Sequence, residues 1–169
     1  KPSVEFLGHM VENGSRSIVQ EKVRAVQAIP EPTSKKLLRS FLGMTGFYRT
    51  YIPRYAEIAL ELTNLTKKDQ PNSIRFNDKQ RASFLAMKKA LCDAASLYIP
   101  DSAKPYILHT DASATTASAC LAQIDTAGDE RPVAFMSTKF TPTQTRYSTI
   151  KRESLAVILT LKRWDYFLY

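Results

Sequence analysis

The spacing of apolar residues changes twice along this chain, and these changes constrain its fold more than any other feature. Between about residues 21 and 93 apolar residues recur every three or four positions, which is typical of amphipathic helices. Residues 106–111 alternate as a strand does, 117–124 and 133–137 are further strand candidates, and 146–168 returns to helical spacing. Three strands followed by a long helix predict a mixed sheet with a helix on one face, so the chain as a whole is predicted to be α+β.

The first part of the chain is predicted to hold a hairpin and several helices. Val4 to Val11 predicts a strand, and Asn13-Gly14 predicts the turn to a return strand at Ile18-Val19. Thr33 or Ser34 can cap a helix, and Pro53 ends it. The predicted helices span 21–29, 37–52, 56–65 and 77–93.

Two polar, proline-containing stretches predict boundaries in the chain. Residues 67–76 contain Pro71 and read as a linker, and 100–105 is bounded by two prolines.

On the apolar face of the last helix, burial is predicted for several large residues. These are Ile150, Leu155, Ile158, Leu161 and Leu168.

The net charge of +8 favours a polyanionic partner, most simply a nucleic acid. Residues 1–60 hold nine basic and five acidic residues, a net charge of +4, whereas 61–104 carries +3 and 105–169 only +1. The helical part therefore carries most of the excess. We expect no membrane partner, because no apolar run approaches the roughly 18 residues of a span. Cys92 and Cys120 are expected to be reduced, buried thiols of a protein that is not secreted.

Two carboxylates could carry chemistry. Asp111 lies at the end of a predicted strand, where it could bind a metal or simply form a turn, since Asp-x-Ser often closes a strand. Glu153 shares a predicted helix face with Ala156 and Thr160, so it is either at the edge of a solvated face or inward and functional. If the helix packs on the sheet, the two could begin a Mg²⁺ site.

Two glycines within a predicted helix, Gly43 and Gly46, each cost up to about 1 kcal/mol relative to alanine. A close approach of nucleic-acid backbone beside Arg39 and Arg49 would explain them, and tight helix–helix packing would explain them equally well. Phe47 and its aromatic neighbours are more often core residues than stacking platforms for bases.

An ordered set of short motifs resembles one family over essentially the whole chain. The segments are Val4-Glu5-Phe6-Leu7-Gly8-His9, Leu38 to Gly43 with Phe47-Tyr48-Arg49, Ile58-Ala59 with Leu62-Thr63, Thr110-Asp111-Ala112-Ser113, Pro132 to Phe135, and Tyr147-Ser148-Thr149 with Glu153 and Leu155-Ala156-Val157. Together they resemble the reverse transcriptase–ribonuclease H region of gypsy-type long-terminal-repeat retrotransposons and of retroviruses. The sequence departs from the family where Thr116 and Ser118 replace glycines and Phe76 replaces a tryptophan.

The resemblance divides the chain into four parts. It implies a hairpin like the primer grip over 1–19, a thumb over 20–66, a connecting segment over 67–104 and the first half of a ribonuclease H-like domain over 105–169. Its expected partners are an RNA–DNA hybrid, the template–primer duplex and the remainder of a Pol polyprotein. The residues it implies for nucleic-acid binding are Phe6, Gly8, Arg39, Gly43, Phe47 and Arg49.

The resemblance also implies a Mg²⁺-dependent site that cleaves RNA, with Asp111 and Glu153 as two of its catalytic metal ligands. The family's polymerase palm would precede Lys1 and its later carboxylates would follow Tyr169, so these 169 residues alone are expected to be inactive. The alternative is a remnant of such an element that binds nucleic acid without catalysis. The resemblance implies a cytoplasmic, particle-associated or nuclear location.

Overall fold

The computed structural model describes residues 3–168; Lys1, Pro2 and Tyr169, the outermost residues of the predicted hairpin and ribonuclease H-like part, lie outside it. The described chain forms two antiparallel sheets with helices packed around them, which confirms the predicted α+β class. The strands are β1 (Val4–Phe6), β2 (His9–Glu12), β3 (Ser15–Ile18), β4 (Leu97–Tyr98), β5 (Ile107–Ala112), β6 (Thr116–Ile124) and β7 (Glu130–Lys139). The helices are α1 (Gln20–Gln27), α2 (Lys35–Phe47), α3 (Tyr55–Ile58), α4 (Leu60–Asn64), α5 (Asp78–Cys92), α6 (Thr149–Arg163) and α7 (Asp165–Leu168).

The N-terminal strand is not continuous, and the prediction of one strand over 4–11 was wrong. Leu7 and Gly8 have φ values of 49° and 79°, so the chain turns between β1 and β2. The second predicted turn is confirmed, because Asn13 and Gly14 have positive φ values and join β2 to β3. The return strand is Ser15–Ile18, slightly earlier than predicted.

The first sheet contains a strand that the sequence pattern did not reveal. β4 has only two residues and pairs antiparallel with β3, through Ser15 with Tyr98 and Arg16 with Leu97. Leu97 is fully buried. The N-terminal hairpin is thereby joined to a segment some eighty positions away.

The helix predicted over 37–52 is shorter than expected. The Ser34 hydroxyl caps α2 by accepting a hydrogen bond from the Leu37 amide at 3.3 Å. α2 ends at Phe47, and a 3₁₀ turn over Arg49–Tyr51 follows. Residues 56–65 form two short helices instead of one, and the first of them starts after Arg54, a residue in the left-handed conformation.

The predicted linker over 67–76 packs against the start of α2. The Ile74 amide donates to the Thr33 carbonyl at 2.9 Å, and the side chains of Ile74 and Phe76 are buried. The following helix, α5, begins with a capping box in which Asn77 and Gln80 bind each other's backbone amides. At its end Cys92 is exposed, so the expectation of a buried thiol was wrong there.

The second sheet confirms the three predicted strands, in the order β5-β6-β7. Within residues 3–168, β5 pairs with β6 alone and is an edge strand. α6 buries Ala156 and Thr160, its smaller residues, and is separated from α7 at Trp164. The prediction of a buried large apolar face was wrong for Ile150, Ile158 and Leu161, which are exposed; Ile150 keeps 79% of its surface. Leu155 and Leu159 pack beside Ala156 and are partly buried, so only part of the predicted apolar face meets the rest of the protein.

Direct hydrogen bonds join the helical part to the second sheet. The Ala56 amide donates to the Ser137 hydroxyl at 2.7 Å, and the Lys139 ammonium donates to the Leu60 carbonyl at 3.2 Å. Phe135 of β7 also packs against the larger core, which surrounds α2 and α5. None of the helices in the described part of the chain is long and apolar enough to cross a lipid bilayer.

Candidate nucleic-acid interface and carboxylate site

His9 fastens the N-terminal hairpin to the end of α2. Its ring stacks on Phe47, with centroids 5.4 Å apart and planes at 7°, and on Tyr51 at 5.4 Å and 26°. The Tyr51 hydroxyl lies 2.9 Å from Nδ1 of His9. Burial raises the pKa of Tyr51, and burial followed by the charge of Arg16 lowers the pKa of His9. The phenol therefore keeps its proton and can donate it to a neutral imidazole.

The residues predicted to bind nucleic acid lie on the hairpin and along α2, and we call this set (Phe6, Gly8, Arg39, Gly43, Phe47 and Arg49) the grip surface. Phe6 pairs with His9 across the turn, and His9 stacks on Phe47, so a chain of contacts connects the two elements. Phe6 and Phe47 remain 63% and 58% exposed. Neither ring is therefore part of the buried core.

The two helical glycines have different surroundings. A Cβ at Gly43 would meet no atom within 4 Å, so helix packing does not account for this glycine. A Cβ at Gly46 would lie 3.5 Å from the Tyr55 hydroxyl, in ordinary contact with a neighbouring segment. Helix packing therefore requires glycine at neither position, and the surface beside Gly43 is open.

The remaining members of the grip surface have partly structural contacts. Gly8 has a φ of 79°, so the turn itself favours glycine, and an added Cβ would lie 3.4 Å from the Tyr48 hydroxyl. The Arg39 guanidinium donates to the Thr66 carbonyl at 2.9 Å, which holds the side chain along the end of α4. Arg49 is exposed at the start of the 3₁₀ turn.

Asp111 lies near the end of β5, as predicted, and its carboxylate faces a cation from the helical part. Its Oδ2 accepts a hydrogen bond from Arg54 at 2.7 Å. This hydrogen bond raises the pKa of Arg54, with a further contribution from Glu57. Arg54 holds this position with φ and ψ of 53° and 31°, a left-handed conformation that costs an arginine about 1–2 kcal/mol. Nothing in the sequence signalled this pairing.

The Arg54–Asp111 pair borders a cavity of about 360 Å³ between the two parts of the molecule. Cys120 and Phe135 line it from the sheet. Burial, with a smaller effect of Glu130, raises the pKa of Cys120 to about 11, so this thiol stays protonated at neutral pH.

Glu153 lies on α6, and no contact joins it to Asp111 within residues 3–168. The adjacent Arg152 donates to the carbonyl of Ser113 at 2.9 Å, which fixes α6 to the turn two residues after Asp111. Both carboxylate residues are exposed. Among residues 3–168 the structure contains no group of three or more His, Cys, Asp or Glu side chains placed to hold a metal ion.

Thr116 and Ser118, which replace the family's glycines, are buried in β6. The Thr116 hydroxyl lies 2.9 Å from that of Ser113. These side chains therefore serve the packing and the turn after β5.

Comparisons with known proteins agree with this fold and with the motifs. Residues 76–169 match the family model described as an RNase H-like domain found in reverse transcriptase. The chain is 39% identical to the Pol polyprotein of transposon opus from Drosophila melanogaster, over 98% of this chain and 17% of that protein. It is 36% identical to the Gag-Pol polyprotein of gibbon ape leukemia virus, over 96% of this chain and 9% of that protein.

Solved structures with the same fold come from a foamy virus. The protease–reverse transcriptase in complex with double-stranded DNA covers 99% of the chain with a TM-score of 0.86 and 25% identity, and the chain covers 35% of it. The complex with an RNA/DNA hybrid covers 95% with a TM-score of 0.82 and 25% identity, and the chain covers 22% of it. The chain therefore belongs to the RNase H-like reverse transcriptase family of Pol polyproteins found in gypsy-type retrotransposons and retroviruses. It spans less than a fifth of the length of these curated relatives.

Proposed function

We propose that this chain is the part of an RNA-directed DNA polymerase and ribonuclease H that holds the template–primer duplex and supplies part of the RNA-cleaving site. The observation that carries this proposal is the grip surface. There Phe47 of α2 is exposed and stacks on His9 of the hairpin, and Gly43 of α2 leaves open space at the helix surface. The foamy viral structures of similar fold were determined in complex with double-stranded DNA and with an RNA/DNA hybrid.

The grip surface suits a duplex for three physical reasons. Gly43 leaves room for a sugar–phosphate backbone to approach the helix axis more closely than any side chain would allow. Phe47 offers an apolar ring to a groove, and its stacking on His9 fixes the ring's orientation. Arg39 and Arg49 bring positive charge, which supplies most of the affinity for nucleic acid irrespective of sequence.

Replacing Gly43 and Gly46 with alanine distinguishes an effect on nucleic-acid binding from an effect on folding stability. Gly43→Ala adds a methyl group to open space in an exposed helix, so it should stabilise the protein by up to about 1 kcal/mol. The same methyl group should weaken binding of a fluorescently labelled RNA/DNA hybrid, measured by anisotropy. Gly46→Ala, three residues along the same helix, is the matched control and should leave hybrid affinity unchanged. If Gly43→Ala raises the melting temperature and does not weaken the hybrid complex, the grip surface has been misassigned.

The residues around β5 fit a divalent metal, although they do not complete a site. Asp111 already accepts a cation, the Arg54 guanidinium, and the proposal adds Glu153 of α6 as its second carboxylate. Carboxylate oxygens are the ligands that Mg²⁺ prefers. When bound, two Mg²⁺ ions would activate water and stabilise the leaving oxygen in hydrolysis of the RNA strand.

The carboxylates themselves would bind and orient the metal from two rigid elements, a strand and a helix. In the full-length protein Asp111→Asn should abolish cleavage of the RNA strand of a hybrid and leave hybrid binding intact. Cleavage that survives Asp111→Asn would exclude Asp111 from the site. Binding without cleavage by the unmutated full-length protein would instead favour the non-catalytic remnant.

A further inference from the structure

A second polar cavity, of about 240 Å³, lies where the 3₁₀ turn after α2 meets β7 and the end of α6. Arg49 enters it from the 3₁₀ turn and Arg163 from the last turn of α6. Thr50, Ser137 and Thr138 also line it, and the side chains of Ser137 and Thr138 face opposite sides of β7 because they are consecutive strand residues. The cavity is therefore built jointly by the helical part and the ribonuclease H-like part.

The charges of this cavity are unbalanced. No carboxylate is among its lining residues, and neither arginine forms an ion pair within residues 3–168. Some other arginines have acidic partners, such as Arg54 with Asp111 at 2.7 Å and Arg81 with Glu31 at 3.1 Å, but Arg49 and Arg163 share their cavity with no carboxylate. Two guanidinium groups that share one cavity repel each other, and an anion between them would turn this repulsion into attraction.

The hydroxyl groups suit an oxyanion. The Ser137 oxygen already accepts a hydrogen bond from the Ala56 amide at 2.7 Å, so its own proton is available for a ligand. Thr50 adds a second potential donor. Guanidinium groups bind phosphate oxygens through paired hydrogen bonds, which makes phosphate the fitting class of anion.

We propose that Arg49 and Arg163 form an anion site that binds a backbone phosphate of a nucleic-acid duplex, assisted by the hydroxyls of Thr50 and Ser137. The proposal rests on the proposed function, because it assumes that a duplex lies on the grip surface. Arg49 belongs to both the grip surface and this cavity, so a strand that follows α2 meets the cavity next. The site thus ties the ribonuclease H-like part to the same strand that the hairpin and α2 hold.

The test compares charge-removing variants of the whole chain. Binding of a labelled duplex is measured by anisotropy over a range of salt concentrations for the unmutated protein, Arg49→Gln, Arg163→Gln and Lys162→Gln. Each lost phosphate contact should reduce the slope of log affinity against log salt by about 0.9. Lys162→Gln is the matched control, because it removes the same charge one position away, from a side chain that does not line the cavity. We expect the reduced slope for both arginine variants and an unchanged slope for the control.

Further variants and measurements distinguish a loss of folding from a loss of binding, and binding of a duplex from binding of a small anion. Arg163→Lys keeps the charge and should retain most of the slope, and melting curves of every variant show whether the fold is intact. An Arg163→Gln slope equal to that of Lys162→Gln, in folded protein that binds duplex, would overturn the site while leaving the grip surface in place. If the unmutated protein shows no salt-dependent duplex binding, the proposed function itself fails. If inorganic phosphate titrated into the protein perturbs Arg163 in NMR spectra but the duplex slopes are unchanged, the site binds small anions and its assignment to nucleic acid is wrong.

Discussion

Removing the Arg54 guanidinium should make Asp111 a better ligand for a divalent cation. Arg54 and a metal ion would compete for the same carboxylate, since the guanidinium nitrogen lies 2.7 Å from Oδ2. The side chains of Arg54 and Asp111 are 60% and 54% exposed, and exposed ion pairs contribute at most about 1 kcal/mol. At about 1.4 kcal/mol per tenfold change, Arg54→Gln should therefore strengthen metal binding by no more than about fivefold.

The assay is the broadening of β5 amide NMR signals by Mn²⁺, which detects weak binding without requiring catalysis. Arg54→Gln should shift the Mn²⁺ titration to lower concentrations, and Asp111→Asn should remove the broadening near Asp111. Arg81→Gln is the matched control, because it breaks an exposed ion pair with Glu31 that is remote from Asp111 along the chain and changes the net charge equally. Equal shifts in the Arg54 and Arg81 variants would show that only net charge matters, and the competition argument would be refuted. An increase in Mn²⁺ affinity well above fivefold would show that the Arg54–Asp111 ion pair is stronger than expected for an exposed pair.

Three other predictions follow from single contacts. The pKa of His9 is lowered in the folded state, so the neutral ring stabilises the fold above the unfolded pKa near 6.5. This contribution is lost as the pH falls through the lower folded pKa. The free energy of unfolding, measured with urea between pH 7.5 and 5, should therefore decline with falling pH, and His9→Gln should make this decline smaller. Alkylation by iodoacetamide at pH 8, followed by mass spectrometry, should label exposed Cys92 before Cys120, whose pKa of about 11 keeps it a thiol; equal rates would contradict this. Asn77→Ala removes the cap of α5 and should lower the free energy of unfolding by about 1 kcal/mol, with Asp93→Ala at the other end of the helix as the control; an equal loss in both would argue against the capping box.

Local patterns predicted most elements of the fold because their causes are local. Asn13-Gly14 provides a turn with positive φ, and Asn77 and Gln80 satisfy the first amides of α5 within one helical turn. β6 is buried along nearly its whole length, so its run of small and apolar residues reports burial on both faces of a sheet. By contrast, the two-residue β4 has no pattern of its own and exists only because β3 lies beside it.

The helix faces show where such patterns stop being informative. The spacing of Ile150, Ile158 and Leu161 predicts an apolar face, but it does not say which residues of the helix meet the sheet. In the structure Ala156 and Thr160 make that contact, and nothing within residues 3–168 covers the larger residues fully. Helical periodicity identifies apolar residues that share a face, whereas tertiary packing decides which of them are covered.

The candidate site was predictable only as far as its motifs, and its most informative contacts join residues that no local pattern connects. His9 lies 42 positions from Tyr51, Arg54 lies 57 from Asp111, and Ala56 lies 81 from Ser137. The last two contacts come from Arg54 and Ala56, which lie in one short stretch after α2. This stretch follows the grip surface along the chain and faces Asp111 of the ribonuclease H-like part. A metal ion that displaces Arg54 from Asp111 would leave the Ala56–Ser137 hydrogen bond as a remaining direct link between the same two elements. Metal binding at Asp111 and the position of the 3₁₀ turn beside Arg49 are therefore expected to be coupled through this one segment.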